Sequence, residues 1–215
     1  MKKVALLFAM AFAVNAQAAM NSSSANQNVF NAEPVNSMMR VTPILGMADM
    51  NLVNDQGALA RDGGLMLGGL FDMGTGPLTF ETGLLFDQFG GKSSGLKVTI
   101  SYLSVPMVAK WNVMGNPSKT LYLKGGFLPS MRVSSDIQMG DRNGQMTSVS
   151  DSDFGLKRFD FGMLIGIGGM IPVSPKASIV GDISYMRGLQ DVNDKGPVAW
   201  HNEGFIFSSG VSIAL

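Results

Sequence analysis

The chain has 215 residues, room for one domain once a leader is removed and not for two. Its 16 basic and 16 acidic residues balance to a formal net charge of zero, so there is no electrostatic footprint for nucleic acid. Cysteine is absent, which excludes disulfides, thiolate metal sites, thiol catalysis and a lipid anchor on an N-terminal cysteine.

The first residues read as a signal peptide. Lys2 and Lys3 form a charged start, Val4 to Val14 an apolar run, and Ala16-Gln17-Ala18 a small-residue cleavage site. Eleven apolar residues are too few for a membrane helix, which needs about 20. The expected division is a signal peptide over 1–18, a flexible periplasmic segment over 19–37, and one domain over 38–215. Residues 19–37 are polar and of low complexity, which suits a lead-in rather than a core.

Beyond residue 37 no run is long enough for a membrane helix; Phe161 to Val173, the most apolar stretch, contains four glycines and a proline. Yet mean hydropathy is positive, at +0.20. An exported, apolar, glycine-rich chain without membrane helices must still pair every backbone polar group inside lipid, and a closed barrel is the alternative to a helix.

Strand-length segments follow in order. The first three span about 39–48, 63–73 and 78–88. In the fourth, Leu103, Val105, Met107, Ala109 and Trp111 oppose Ser104, Pro106, Val108 and Lys110. Parity would slip near Tyr102 if Val98 and Ile100 are to face lipid, which predicts a bulge there. In the fifth, Leu121, Leu123, Phe127 and Met131 oppose Tyr122, Lys124, Gly126, Ser130 and Arg132. The sixth sets Phe159, Phe161, Met163, Ile165 and Ile167 against Asp160, Gly162, Leu164, Gly166 and Gly168. The seventh spans about 177–187. The eighth alternates Phe205, Phe207, Ser209, Val211, Ile213 and Leu215 with small or partly polar residues. This period of two is a strand signature. A large apolar face suits lipid and a small face suits a narrow interior.

The connections alternate in kind. Gly74–Pro77, Met114–Ser118 and Pro172–Lys176 are short, while those near 49–62, 89–95, 134–153 and 188–202 are longer and more polar. The reading is therefore an all-β chain forming an eight-stranded antiparallel up-and-down transmembrane barrel in the outer membrane of a Gram-negative cell. Tight turns and both termini lie in the periplasm, and long loops lie outside.

Tyr102-Leu103-Ser104-Val105-Pro106-Met107-Val108-Ala109-Lys110-Trp111 and Tyr122-Leu123-Lys124-Gly125-Gly126 resemble the central strands of PorT-like small outer-membrane β-barrels. Phe159-Asp160-Phe161-Gly162, Gly166-Ile167-Gly168 and Ser184-Tyr185-Met186-Arg187-Gly188-Leu189 resemble that family's sixth and seventh strands. The resemblance spans about 38–215 and implies an outer-membrane barrel without implying one activity. It also marks departures. The family often carries an acid at Ser104 and an arginine at Ser184, so serine replaces both members of what would be a lumen pair. The chain ends in Leu215 where many such barrels end in an aromatic residue.

Candidate chemistry is sparse. His201, the sole histidine, has Asp191, Asp194, Glu203 and Ser208 nearby in sequence, but no spacing that would supply a nucleophile with its base. The 17 methionines are scattered rather than clustered for copper, and read as flexible apolar filler. Gly166-Ile167-Gly168-Gly169 has no following helix to cradle phosphate. Asp136, Asp141, Asp151 and Asp153 lack calcium-loop spacing. No enzyme, cofactor or metal is expected.

The inward face holds Arg40, Lys110, Lys124 and Arg132 with Asp72, Glu81, Asp87, Asp160 and Asp182. Rings of one sign would favour a selective pore, whereas mixed signs in a narrow tube suggest a plug. Glu81, Lys110, Lys124, Arg132, Asp160 and Asp182 are the expected lumen network. The expected role is structural, or one of surface interaction through the external loops. The alternatives are a small diffusion pore and a soluble lipocalin-like binding barrel. Expected partners are outer-membrane lipids, the barrel-assembly machinery during insertion, and a loop ligand that the sequence does not name. The alternation of connections carries a test of topology: on whole cells, Asn143→Cys should react with an impermeant thiol reagent and Asn116→Cys should not.

Overall fold

The computed structural model describes residues 38–54, 57–93, 95–116, 119–140, 146–149, 155–192 and 199–215. The signal peptide over 1–18, the segment over 19–37, Asn143, Asp141, Asp151, Asp153 and Asp194 lie outside them. Eleven strands are described: β1 Met39–Asn54, β2 Gly57–Ala58, β3 Ala60–Met73, β4 Leu78–Ser93, β5 Leu96–Ser104, β6 Met107–Asn116, β7 Lys119–Gly140, β8 Met146–Val149, β9 Phe159–Pro172, β10 Ala177–Gly188 and β11 His201–Ala214.

All pairings are antiparallel, and they join into an eight-stave ring. β1 pairs with β3, β3 with β4, β7 with β9, β9 with β10 and β10 with β11. β5 and β6 form one interrupted stave between β4 and β7. β11 returns to β1, which closes the sheet. The fourth stave breaks at Val105-Pro106 because proline lacks a ladder donor. β2 and β8 are short additions beside β1 and β7. At the seam the β1–β11 register runs from Val41↔Ile213 directly to Ile44↔Gly210, interrupted at Pro43.

Alternation sorts side chains by face. Leu45, Leu67, Phe71, Leu84, Met107, Leu123, Ile165, Ile167, Ile183 and Phe207 point out and are exposed, while their neighbours in sequence point in. A soluble lipocalin-like barrel would bury its large apolar face, so this outward band counts against that alternative. Two turn glycines, Gly74 at φ 115° and Gly76 at φ 95°, take backbone geometry that a side chain would strain.

Three expectations are corrected. Val98 and Ile100 are fully buried and face inward, so the fourth stave keeps its parity through Tyr102. The extra residue lies opposite, on β7: Ser101 pairs Ser134 and Tyr102 pairs Arg132, leaving Val133 bulged and exposed. Apolar residues at 98 and 100 belong inside because the upper lumen has a core of its own. Next, the strands run on into segments expected as loops. β1 reaches Asn54, β7 reaches Gly140, β11 begins at His201, and the 89–95 connection is reduced to a tight hairpin between Ser93 and Leu96. Polar side chains do not prevent a ladder from continuing beyond the lipid band. A membrane strand needs about 9–11 residues, and β7 has 22, so the barrel extends well past it at the long-loop end. Lastly, the inward face is not small-sided throughout, since Phe89, Tyr102, Ile100 and Ile137 fill its upper part.

Ile165 is 58% exposed on the outer face, while Gly166 faces in against Ser184. Ile165→Arg should destabilise the barrel by about 2–4 kcal/mol in denaturant unfolding from vesicles if the site lies mid-membrane. Gly166→Arg should instead block folding by overfilling the lumen.

Candidate functional site

The lumen holds three layers of side chains. At the short-turn end lies an ionic belt, set up by strand register. Lys110 on β6 and Lys124 on β7 are direct cross-strand partners, both pointing inward. Opposed like charges repel, and each lysine is drawn to acids from other staves. Lys110 Nζ lies 2.8 Å from both Asp72 Oδ1 and Glu81 Oε2, which are themselves cross-strand partners on β3 and β4. Lys124 Nζ lies 3.1 Å from Asp182 Oδ1 on β10.

Tyr122 joins the two groups. Its ring packs 4.6 Å from Lys110 Nζ, and its hydroxyl donates to Asp182 Oδ1 at 2.7 Å. The phenol can cross the tube because β9 offers no side chain there: a Cβ at Gly168 would collide with the Tyr122 ring and the Asp182 carboxylate. A chain of contacts therefore runs from Asp72 and Glu81 through Lys110 and Tyr122 to Asp182 and Lys124. Below it, a polar cavity of about 130 Å³ opens among Arg40, Asp72, Thr79, Lys110 and Asn112. Arg40 donates to Met170 Sδ at 3.1 Å.

The second layer is uncharged or singly acidic in its links. Ser104 donates to Asp87 and lies 2.8 Å from the Ser130 hydroxyl. Asn202 Nδ2 donates to Asp160 Oδ2 at 2.7 Å and to Tyr102 Oη at 3.3 Å. Asp160 Oδ1 also accepts the Phe161 amide at 2.8 Å. These bonds draw β4, β5, β7, β9 and β11 together around the middle of the tube.

The third layer is apolar. Phe89, Val98, Ile100 and Ile137 are all at most 1% exposed, and Phe89 packs on Tyr102 at 5.4 Å between ring centroids. Leu156 and Val192 cap this core, held by backbone bonds from Lys157 N to Val192 O and from Val192 N to Trp200 O. Arg132 supports the cap, donating to Leu156 O at 3.0 Å and Lys157 O at 3.1 Å.

The six expected lumen residues thus divide. Lys110 and Glu81 meet directly, Lys124 meets Asp182, Asp160 belongs to the middle layer, and Arg132 serves the cap. Glu81 pairs with Lys110 and not with Lys124. The two departures from the PorT-like pattern differ in use: Ser104 is bonded to Asp87 and Ser130, while Ser184 is buried beside Gly166. Reasoning from charge overlooked the uncharged members, Tyr102, Tyr122, Ser104, Ser130 and Asn202. Strand parity alone would have found the tyrosines, two of only three in the chain. Asn202 falls in the 188–202 connection expected as a loop, where parity assigns no face, although β11 begins at His201.

Elsewhere, His201 Nδ1 lies 3.0 Å from the Gln190 carbonyl, Ser208 donates to Asp182 at 3.4 Å, and Gln138 donates to Asp136 at 2.9 Å. Among the described residues no group of three His, Cys, Asp or Glu is arranged to hold a metal ion.

The belt makes a stability prediction. Lys110 is the common cation of two buried carboxylates, and stripping a buried pair of one partner costs about 3–5 kcal/mol. Lys110→Met should lower stability by that order in denaturant titration. The triple variant Lys110→Met, Asp72→Asn, Glu81→Gln should recover part of it, because no charge is left stranded.

Comparison with known proteins gives a family and several folds. The model of a family described as outer membrane protein beta-barrel domain matches residues 8–194. No curated protein matches the chain. Among solved structures, OprG from Pseudomonas aeruginosa is similar with a TM-score of 0.51 and 13% identity, covering 84% of this chain and 97% of its own. Neisserial surface protein A gives a TM-score of 0.49 at 12% identity, covering 83% of this chain and 98% of its own. Ail of Yersinia pestis gives 0.44 at 15% identity, covering 81% and 98%.

Proposed function

The chain belongs to the outer membrane protein beta-barrel domain family, and from that premise we propose that it is a non-catalytic barrel with a plugged lumen, acting through its long-loop end. It is a small outer-membrane protein, so its exposed apolar band faces lipid. The observation that carries the reading is the layering of the interior: a salt-bridged belt, a hydrogen-bonded layer and an apolar core are stacked along one narrow tube. Eight strands leave an interior just wide enough for side chains to fill it. A pore would need a continuous wet path, and the apolar third layer supplies no partners for water.

Extended β-ladders support the surface role. β1, β4 and β7 continue beyond the lipid band, and the outer face of β7 turns polar after Val133, at Ser134, Asp136 and Gln138. Such strands form a stiff pedestal for the connections they carry. Loops on a rigid scaffold are common places for recognition. We assign these connections to the cell exterior and both termini to the periplasm, with Met39 and Leu215 together at the short-turn end. A PorT-like membership within the family is part of the same proposal, resting on the motifs around Lys110, Lys124 and Gly188. Membrane lipids and, during insertion, the assembly machinery are the partners this reading requires; the ligand of the loops is left to experiment.

Conductance tests the plug. Purified protein in a planar bilayer should give no steady current, and its band should run faster on a gel before heating than after. A reproducible single-channel current would overturn the plug and assign a small diffusion pore.

A further inference from the structure

The second layer of the lumen is built from two separate clusters. In the first, Ser104 of β5 links Asp87 of β4 to Ser130 of β7. In the second, Asn202 of β11 donates to Asp160 of β9 and to Tyr102 of β5. Strand register sets both at one level of the tube, since Tyr102 is the cross-strand partner of Asp87 and Ser130 that of Asp160. Yet among the described residues no hydrogen bond runs from one cluster to the other. Each also leaves one buried oxygen without a donor: Asp87 Oδ1 in the first and Asn202 Oδ1 in the second. The Asn202 amide cannot turn over to remove its orphan, because an ionised carboxylate only accepts and Asp160 claims the Nδ2 side.

Charge gives the same indication. A buried carboxylate is tolerated when it is paired with a cation or coordinates a metal. Lys110 and Lys124 serve the acids of the belt below. Asp87 and Asp160 are equally buried, and neither forms a salt bridge among the described residues. The Arg132 guanidinium donates to Leu156 O, Lys157 O and Ser135 Oγ, and the His201 ring meets the Gln190 carbonyl. What the layer presents is a set of oxygen donors: two carboxylates, the hydroxyls of Ser104, Ser130 and Tyr102, and the Asn202 carbonyl.

We propose that one calcium ion binds at this level and joins the two clusters. Asp87 and Asp160 balance its charge, and Asp87 Oδ1 and Asn202 Oδ1 are the oxygens that gain a partner. The site draws on only two acids, its other donors being neutral. Calcium accepts about six to eight oxygens in a flexible shell, whereas magnesium demands an octahedron and keeps several waters. Oxygens converging from five staves of a filled tube suit the first ion and not the second. With the belt below and the apolar core above, the ion enters as the barrel closes and is then enclosed.

Metal analysis of the full chain, extracted from membranes in detergent, tests the ion. After dialysis against EDTA, protein that keeps the gel shift of a folded barrel should retain a single calcium ion per chain and release it on heating. The double variant Asp87→Asn, Asp160→Asn should lose that calcium while keeping the gel shift. If it does not fold, wild type alone decides. Refolding from urea with calcium should raise the urea midpoint above that reached with EDTA or magnesium, and calcium added after folding should not. Calcium stripped by EDTA from a barrel that stays folded would overturn the enclosed site, and magnesium in its place would overturn the choice of ion. Equal calcium in wild type and variant would put the ion elsewhere, for example at Asp136, and overturn the assignment. Calcium-free protein whose refolding is indifferent to the ion would overturn the proposal and mark the two acids as protonated.

Discussion

A backbone amide in hydrocarbon has no water to bond with, and an unpaired one costs several kcal/mol. Every other property of this chain follows from meeting that demand without helices. The ladder must return on itself, which it does when β11 meets β1. Closure fixes an inside and an outside, and period-two alternation then assigns each residue to one of them. Outside, the solvent is lipid, so Ile165, Ile167 and Phe207 are exposed where a soluble protein would bury them. Inside, eight staves leave space for little beyond side chains, so charge can be present only in a form that neutralises itself. Lys110 with Asp72 and Glu81, and Lys124 with Asp182, are that form.

Much of this was legible in the sequence because alternation is a local signal. The outward and inward sets of the last strand, of Phe159 to Gly168 and of Leu121 to Arg132 follow from parity alone, and the structure keeps them. What was not legible depends on register, which is a relation between segments. Nothing near Glu81 indicates that its partner is Lys110 and not Lys124; that choice follows from where β4 and β6 are matched. The bulge was sensed through the apolar pair Val98 and Ile100, yet it lies across the ladder at Val133, because a mismatch between two strands can be absorbed by either. The expectation of a small-sided inward face also misses the bulky apolar residues of the upper lumen, Phe89, Ile100 and Ile137. Polar composition suggests a loop at 134–140 and 201–202, where pairing simply continues outside the lipid.

The layered lumen shows how glycine and tyrosine cooperate at a distance in sequence. Gly168 leaves the gap that the Tyr122 ring occupies, and the ring in turn delivers its hydroxyl to Asp182 and its face to Lys110. One absent side chain on β9 thereby couples the β3–β4 hairpin to β10, on the far side of the tube. Glycine outside does something different: at Gly169 and Gly181 it thins the wall's lipid surface without opening the sheet. The same residue type is space for a neighbour on one face and space for a solvent molecule on the other.

The seam deserves comparison with the staves it joins. Its ladder is interrupted at Pro43, and the buried hydroxyls of Thr42 and Ser212 beside that interruption have no hydrogen-bond partner among the described residues. The bridges of Lys110 join β6 to β3 and β4, and that of Lys124 joins β7 to β10, so these three cross the lumen away from the seam. The first and last staves can pair only after everything between them exists, so the weakest-braced junction is also the one that forms last. An incomplete barrel can therefore neutralise Lys110 and Lys124 while still an open, curling sheet, and zip shut afterwards along an edge that holds neither of them.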